Sequence, residues 1–125
     1  MKLFICIFTM VTVCFFSSLS FADSYDNCMD EANGVTSKML LCIKNEYLKW
    51  DKKLNINYKN AYKSLESEKD KATLKAAQLA WIAWRDKMAA AILVLEGDGS
   101  LARVSADIFV MEETRRQAER LLSDQ

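Results

Sequence analysis

The sequence contains no histidine and no proline, and it has only three glycines among its 125 residues. Without histidine there is no imidazole base, no Ser-His or Cys-His catalytic pair and no histidine metal ligand. Without proline and with so few glycines, a turn-rich β fold is disfavoured, because hairpins depend on those residues. The 17 basic and 17 acidic side chains balance, so the basic excess typical of nucleic-acid-binding proteins is also missing.

The first 22 residues predict a secretory signal peptide. Lys2 supplies a positive start, residues 3–16 are nearly all apolar, and Ser20-Phe21-Ala22 is a small-x-small cleavage pattern before Asp23. These 14 residues are too few to span a bilayer, which needs about 20, so a short membrane anchor is the weaker alternative. Residues 23–125 then form one periplasmic or secreted domain with 16 basic and 17 acidic side chains, because Lys2 leaves with the signal.

Cysteine usage points to one disulfide. Cys6 and Cys14 lie in the predicted signal peptide, which leaves Cys28 and Cys42, and an even pair in an exported protein is typical of a bridge. A metal pair is the weaker alternative, because two thiolates without histidine cannot complete a tetrahedral site. On one continuous helix the two Cα atoms would be about 21 Å apart, whereas a disulfide needs them within about 7 Å. The chain must therefore reverse between them, and Asn33-Gly34 is the expected place.

The rest of the chain has helical periodicity. Apolar residues recur at steps of three and four over 35–66, over 71–96 and from Ser100 towards the C-terminus, after a short helix over 24–32. Ser67 or Asp70 is expected to cap the 71–96 helix, and Gly97 to end it. Short connections make sequential helices antiparallel neighbours, so the sequence predicts an all-α fold, a small up-and-down bundle of three main helices plus a short N-terminal helix pinned by the disulfide. The same stripes also suit a coiled-coil dimer, which stays open.

Two motifs lie on these predicted helices. Residues 51–58 have the form D-x-x-L-N-x-x-Y, with Asp51, Leu54, Asn55 and Tyr58 at the fixed positions. Residues 74–86 have the form L-x-x-x-Q-x-x-W-x-x-x-R-D, with Gln78, Trp81, Arg85 and Asp86. Together with the cysteine pair, the Gly97–Ser100 turn and Thr114, this series resembles the LprI-like family of small exported bacterial proteins, which is named for a lysozyme inhibitor.

The sequence departs from that family pattern in two places. A second cysteine pair, common in the family, is absent, and the closing T-x-x-R becomes Thr114-x-x-Gln117, with arginines displaced to Arg115 and Arg116. The resemblance implies an exported, non-enzymatic binding protein that inhibits lysozyme, with a protein partner and with no cofactor or metal. The alternative is a structural or adaptor protein of the bacterial envelope that binds another protein through a helix face.

The motif side chains have structural interpretations. Asp51 and Arg85 are expected to form an ion pair between two packed helices. Opposite charges that lie beside aromatic stripes usually pair with each other where two helices meet and are half-buried. Asn55 and Gln78 are expected to bridge helices or to hold backbone groups. Six aromatic residues at helical spacing are interpreted as core and rim rather than as a ligand pocket: Tyr47, Trp50, Tyr58, Tyr62, Trp81 and Trp84. Trp84 is the exception, because it cannot face the same way as Ile82, and one of the tryptophan rings is expected to reach the surface, where it would anchor a partner.

Four residues are candidates for binding a partner: Ser100, Arg103, Arg115 and Arg116. Lysozymes cleave their substrate with two carboxylates, so a basic or hydroxyl group placed between those carboxylates would block the cleft. An enzyme is the weakest interpretation of the chain, because no carboxylate pair with a partner base is evident and the two mature cysteines are expected to be oxidised.

Overall fold

The computed structural model describes residues 24–122, which form four α-helices and, within that range, no β-strand. The helices are α1 (Ser24–Ala32), α2 (Thr36–Ser64), α3 (Glu68–Leu95) and α4 (Ser100–Arg120). The predicted all-α class and the order of helices are confirmed. The predicted signal peptide, with Cys6 and Cys14, lies outside the described residues. None of the helices in 24–122 is long and apolar enough to cross a bilayer.

The two ends of α3 are set by a side-chain cap and by left-handed backbone conformations. The Ser67 hydroxyl accepts hydrogen bonds from the backbone N–H groups of Lys69 (3.2 Å) and Asp70 (3.4 Å). Because Ser67 is the cap, α3 begins directly after it, earlier than the predicted start. At the other end of α3, Gly97 (φ 83°) and Asp98 (φ 53°) adopt left-handed backbone conformations, which reverse the chain into α4.

The predicted disulfide is present and joins α1 to α2. The Cα atoms of Cys28 and Cys42 are 5.7 Å apart, inside the range that a disulfide requires. The chain reverses at Asn33 (φ 46°) and Gly34 (φ 76°), as the spacing of the cysteines predicts. This turn brings α1 back along α2 and buries Ala32, whose exposed fraction is 1%.

The core lies mainly between α2 and α4. Ile43 of α2 and Val104 and Met111 of α4 form its fully buried centre. Half-buried apolar side chains from α1, α2 and α4 pack around this centre: Tyr25, Met29, Met39, Leu40, Tyr47, Trp50 and Ile108. The short α1 therefore covers part of the core, and the disulfide holds α1 in that position.

The helix α4 separates α2 from α3. It packs closely against both, whereas the backbones of α2 and α3 stay apart and these two helices meet through side chains such as Tyr62 and Lys71. Alanines at positions 102, 106 and 118 are fully buried on α4 and allow close approach of its neighbours. The expectation that each helix packs on the next in sequence holds for α1–α2 and α3–α4 and is wrong for α2–α3. As a result α3 has only half-buried residues on its inner face and none that is fully buried.

We expect Cys28→Ser/Cys42→Ser to lower the free energy of unfolding by about 3 kcal/mol, because the bridge closes a loop of about 15 residues in the unfolded chain. Urea unfolding followed by circular dichroism measures the difference. Wild-type protein in excess reductant is the matched control and should unfold at the same urea concentration as the double variant. Equal stability of oxidised wild type and double variant would contradict this account of the bridge.

Candidate functional site

The second motif lies on the face of α3 that meets α4. The Arg85 Nη1 donates a hydrogen bond to the Thr114 hydroxyl at 3.2 Å, and that hydroxyl donates to the Val110 carbonyl at 2.7 Å. Two further nitrogens of Arg85 donate to the Asp86 carboxylate, at 3.0 and 2.8 Å, and the guanidinium lies 5.0 Å from the centre of the Trp81 ring. Arg85 is thus held on three sides, with its side chain only 11% exposed.

A second polar contact extends this seam. The Gln117 side-chain amide donates to the Gln78 side-chain oxygen at 3.0 Å, which joins α4 to α3 about one turn along α4 and two turns along α3 from the Arg85–Thr114 contact. Gln117 stands at the last position of the T-x-x-R pattern, where an arginine is expected from the resemblance. Its side-chain amide has the Gln78 amide as its partner on α3. Gln78, Arg85, Thr114 and Gln117 therefore lie together where α3 packs on α4, and their hydrogen bonds pair the two helices.

The expected pair between Asp51 and Arg85 does not form. Asp51 instead accepts a hydrogen bond from the Asn55 side chain on the same helix, at 3.2 Å, and the same amide also donates to the Asp51 carbonyl at 2.9 Å. The physical reason is that Asp51 lies on α2 and Arg85 on α3, and α4 lies between those helices. In the rest of the first motif, Leu54 is buried and Tyr58 is half-buried beside Tyr62.

Two buried polar residues of α2 that are not fixed motif positions have hydrogen-bond partners, and one of them joins two helices. Asn57 is 7% exposed, and its side chain donates to the Ala118 carbonyl at 2.8 Å, which links α2 to α4. Glu46 is 6% exposed and accepts from the Trp50 indole N–H at 2.7 Å and from the Lys49 ammonium at 3.0 Å. The available signal in the sequence is position alone, because both residues fall on the helical stripe that faces the core.

An acidic environment surrounds Tyr25 at the junction of α1 with the core. Burial raises the pKa of the Tyr25 phenol, and the carboxylates of Glu112, Asp26 and Glu46 raise it further. The phenol consequently stays protonated and neutral at physiological pH. The residues in 24–122 also include no group of His, Cys, Asp or Glu side chains arranged to hold a metal ion.

The candidate partner-binding residues Arg115 and Arg116 are engaged in ion pairs along α4. Arg115 lies 2.7 Å from the Glu112 carboxylate, and Arg116 pairs with Glu113, which is buried. These contacts neutralise both arginines within their own helix. They are therefore less available to an acidic partner than an unpaired arginine would be.

Ser100 and Arg103 lie at the N-terminal end of α4, away from Arg115 and Arg116. They line an open groove of about 450 Å³ with residues of the preceding turn and of the α2 N-terminus: Thr36, Ser37, Leu40, Asp98 and Gly99. Arg103 is exposed, and its guanidinium has no hydrogen-bond or ion-pair partner among residues 24–122. We call residues 94–103 the α3–α4 corner.

Three large apolar side chains lie in the same corner as this unpaired arginine. Val94 is 80% exposed, Leu95 is 82% exposed and Leu101 is 71% exposed, all within the α3–α4 corner. Of the exposed large apolar residues in the described part of the chain, these three are the most exposed. A protruding turn that combines apolar side chains with a free cation has the composition of a protein-binding surface.

Comparison with known proteins gives one match. The family model described as "Lysozyme inhibitor LprI" matches residues 28–121, which is most of the chain. No curated protein and no solved structure gives a significant match. The matched region contains the disulfide, both motifs and the α3–α4 corner.

We expect Arg85→Gln to lower the free energy of unfolding by about 1–2 kcal/mol, because the Thr114 hydroxyl and the Trp81 ring lose a charged partner. Thermal unfolding by circular dichroism measures the change. Asp51→Asn is the matched control, because it removes the charge of the other motif and affects only an exposed contact within α2. Its free energy of unfolding should stay within about 0.5 kcal/mol of that of the wild type. Equal melting temperatures for Arg85→Gln and wild type would contradict a structural role for the seam.

Proposed function

The chain belongs to the LprI lysozyme inhibitor family, and on this basis we propose that it is an exported, non-enzymatic protein that binds and inhibits lysozyme. Export is supported by the predicted signal peptide and by the Cys28–Cys42 disulfide, since disulfides persist in oxidising compartments outside the cytoplasm. A non-enzymatic role is supported by the absence of histidine from the sequence and by the engagement of both mature cysteines in that bridge.

The unpaired Arg103 on the α3–α4 corner is the observation that carries this proposal. A lysozyme cleft contains two catalytic carboxylates, so its electrostatic complement is a cation on a protruding element. Arg103 supplies the cation, and the Ser100 hydroxyl lies in the same groove. The exposed apolar side chains of Leu95 and Leu101 belong to the same corner and supply area that loses water on binding.

The backbone of the corner is suited to such a role because it is held before any partner arrives. The Asp98 N–H donates to the Leu93 carbonyl at 2.7 Å, and the Gly97 N–H donates to the Val94 carbonyl at 3.4 Å. These bonds close the end of α3 with a turn in which Gly97 and Asp98 are both left-handed. A preorganised turn loses little conformational entropy on binding, which favours affinity.

A role as an envelope adaptor is the second candidate, and it is favoured by exposed apolar side chains of α3. Leu79 is 57% exposed and Trp84 is 46% exposed on this helix, which packs closely mainly against α4. Trp84 touches Phe109 edge-on, with ring centres 5.8 Å apart, so the indole is positioned although it is exposed. Co-purification of one stoichiometric partner without lysozyme binding would favour the adaptor role.

We expect the mature, oxidised protein to slow the clearing of a peptidoglycan suspension by lysozyme. Arg103→Glu should raise the concentration needed for half-maximal protection by at least about tenfold, because it places a like charge against the catalytic carboxylates. Lys87→Glu, an equal charge reversal on the exposed face of α3, is the matched control and should leave protection unchanged.

The two parts of this proposal fail in different ways. No protection at a large molar excess, across several lysozyme types, would contradict inhibition itself. Full protection by Arg103→Glu would retain inhibition but remove the α3–α4 corner as its site.

A further inference from the structure

The second half of α2 is strongly basic in a chain whose total charge balances. Lysines occupy positions 52, 53, 59 and 63, and no acidic residue lies between 52 and 65. Lys59 and Lys63 are one helical turn apart and therefore project from the same side of α2, about 6 Å from each other along its axis. This part of α2 lies at the end of the bundle farthest from the α3–α4 corner, since the N-terminus of α2 lines that corner's groove.

A groove of about 300 Å³ lies on this basic surface. Tyr58, Lys59, Tyr62 and Lys63 of α2 form one side of it, and Lys75 of α3 forms the other. We call these five residues the basic groove. The two tyrosine rings lie side by side, with centres 6.0 Å apart and planes tilted by 38°, and both side chains are half-buried.

The three lysines of the basic groove have no acidic partners. Lys59, Lys63 and Lys75 are exposed and form no ion pair or hydrogen bond through their ammonium groups with any residue in 24–122. The neighbouring Lys71 differs, because its ammonium is 5.9 Å from the Tyr62 ring but is bound to the Glu68 carboxylate at 2.8 Å. The basic groove therefore presents three uncompensated positive charges around two aromatic rings.

We propose that the basic groove binds an acidic glycan, a sugar chain that carries carboxylates. The ammonium groups match carboxylates as compact charges. The tyrosines offer flat apolar rings to the C–H faces of sugars and hydroxyl groups to the sugar hydroxyls. An acidic peptide would need only the charges, so the paired rings favour the glycan. This site is separate from the α3–α4 corner and does not depend on lysozyme inhibition.

Calorimetric titration of the mature, oxidised protein with polygalacturonate oligomers tests the proposal. We expect saturable binding at low salt that weakens as salt is added, because the lysines attract the carboxylates through water. Lys59→Gln/Lys63→Gln should weaken binding at least about tenfold. Lys38→Gln/Lys87→Gln removes the same charge elsewhere and should change affinity less than twofold, which separates the groove from the effect of net charge.

Two further measurements test the role of the sugar and the independence of the site. Tyr62→Ser should weaken binding to polygalacturonate while leaving any binding to polyglutamate unchanged, since the polypeptide has no sugar face to meet the ring. In the peptidoglycan clearing assay, Lys59→Gln/Lys63→Gln should protect as well as wild type, because Arg103 lies at the other end of α2. Melting curves of every variant confirm that each one is folded before its affinity is compared.

Three outcomes would overturn the proposal. The first is an absence of binding to polygalacturonate at low salt by folded wild-type protein. The second is equal loss of affinity in the groove variant and in the Lys38→Gln/Lys87→Gln control. The third is equal affinity of wild type for polyglutamate and polygalacturonate, which would make the groove a site for acidic peptides.

Discussion

The structure depends on burying two opposite sides of α4 at once. Its apolar residues Val104 and Met111 enter the core that it shares with α2, while Thr114 and Gln117 meet the motif side chains of α3. Since the backbones of α2 and α3 stay apart, α4 is the main element through which they are connected in space. The small side chains of α4 make this possible, because alanine lets neighbouring backbones approach closely and leaves the two flanking helices to supply the larger groups.

Buried polar groups complement this packing by fixing the position of α4 along its neighbours. Asn57 reaches the Ala118 carbonyl from α2, and Arg85 reaches the Thr114 hydroxyl from α3. A slide of α4 along either helix would leave one of these groups buried without a partner, which costs about 1–3 kcal/mol. Apolar contacts tolerate small shifts, so the polar pairs supply the register. The motif that identifies the family is therefore a motif of helix pairing, and it does not by itself mark a binding surface.

The sequence was sufficient to predict the helices and the disulfide, because those features depend on local spacing. Periodicity located the three long helices, a short helix was expected before them, and the separation of Cys28 from Cys42 required the reversal seen at Asn33 and Gly34. The pairing of Asp51 with Arg85 was predicted wrongly, since it depends on which helices are neighbours in space. The burial of Asn57 was missed for the same reason, whereas the pairing of Arg116 with Glu113 is local to α4 and their spacing of three residues could have indicated it. The exposure of Ser100 and Arg103 could be predicted, because a turn between two helices is exposed whatever the helices pack against, and their role in binding a partner stays a prediction.

Because α3 packs closely on one side only, we expect the helices to unfold in a particular order. Within residues 24–122 this helix has no fully buried residue and packs closely mainly against α4, whereas α1 and α2 are joined covalently and α2 shares the buried core with α4. Detaching α3 exposes less apolar area than separating α2 from α4, so it requires less free energy than global unfolding. We therefore expect a partly open state that keeps α1, α2 and α4 assembled, and we expect hydrogen exchange at the amides of α3 to proceed through it.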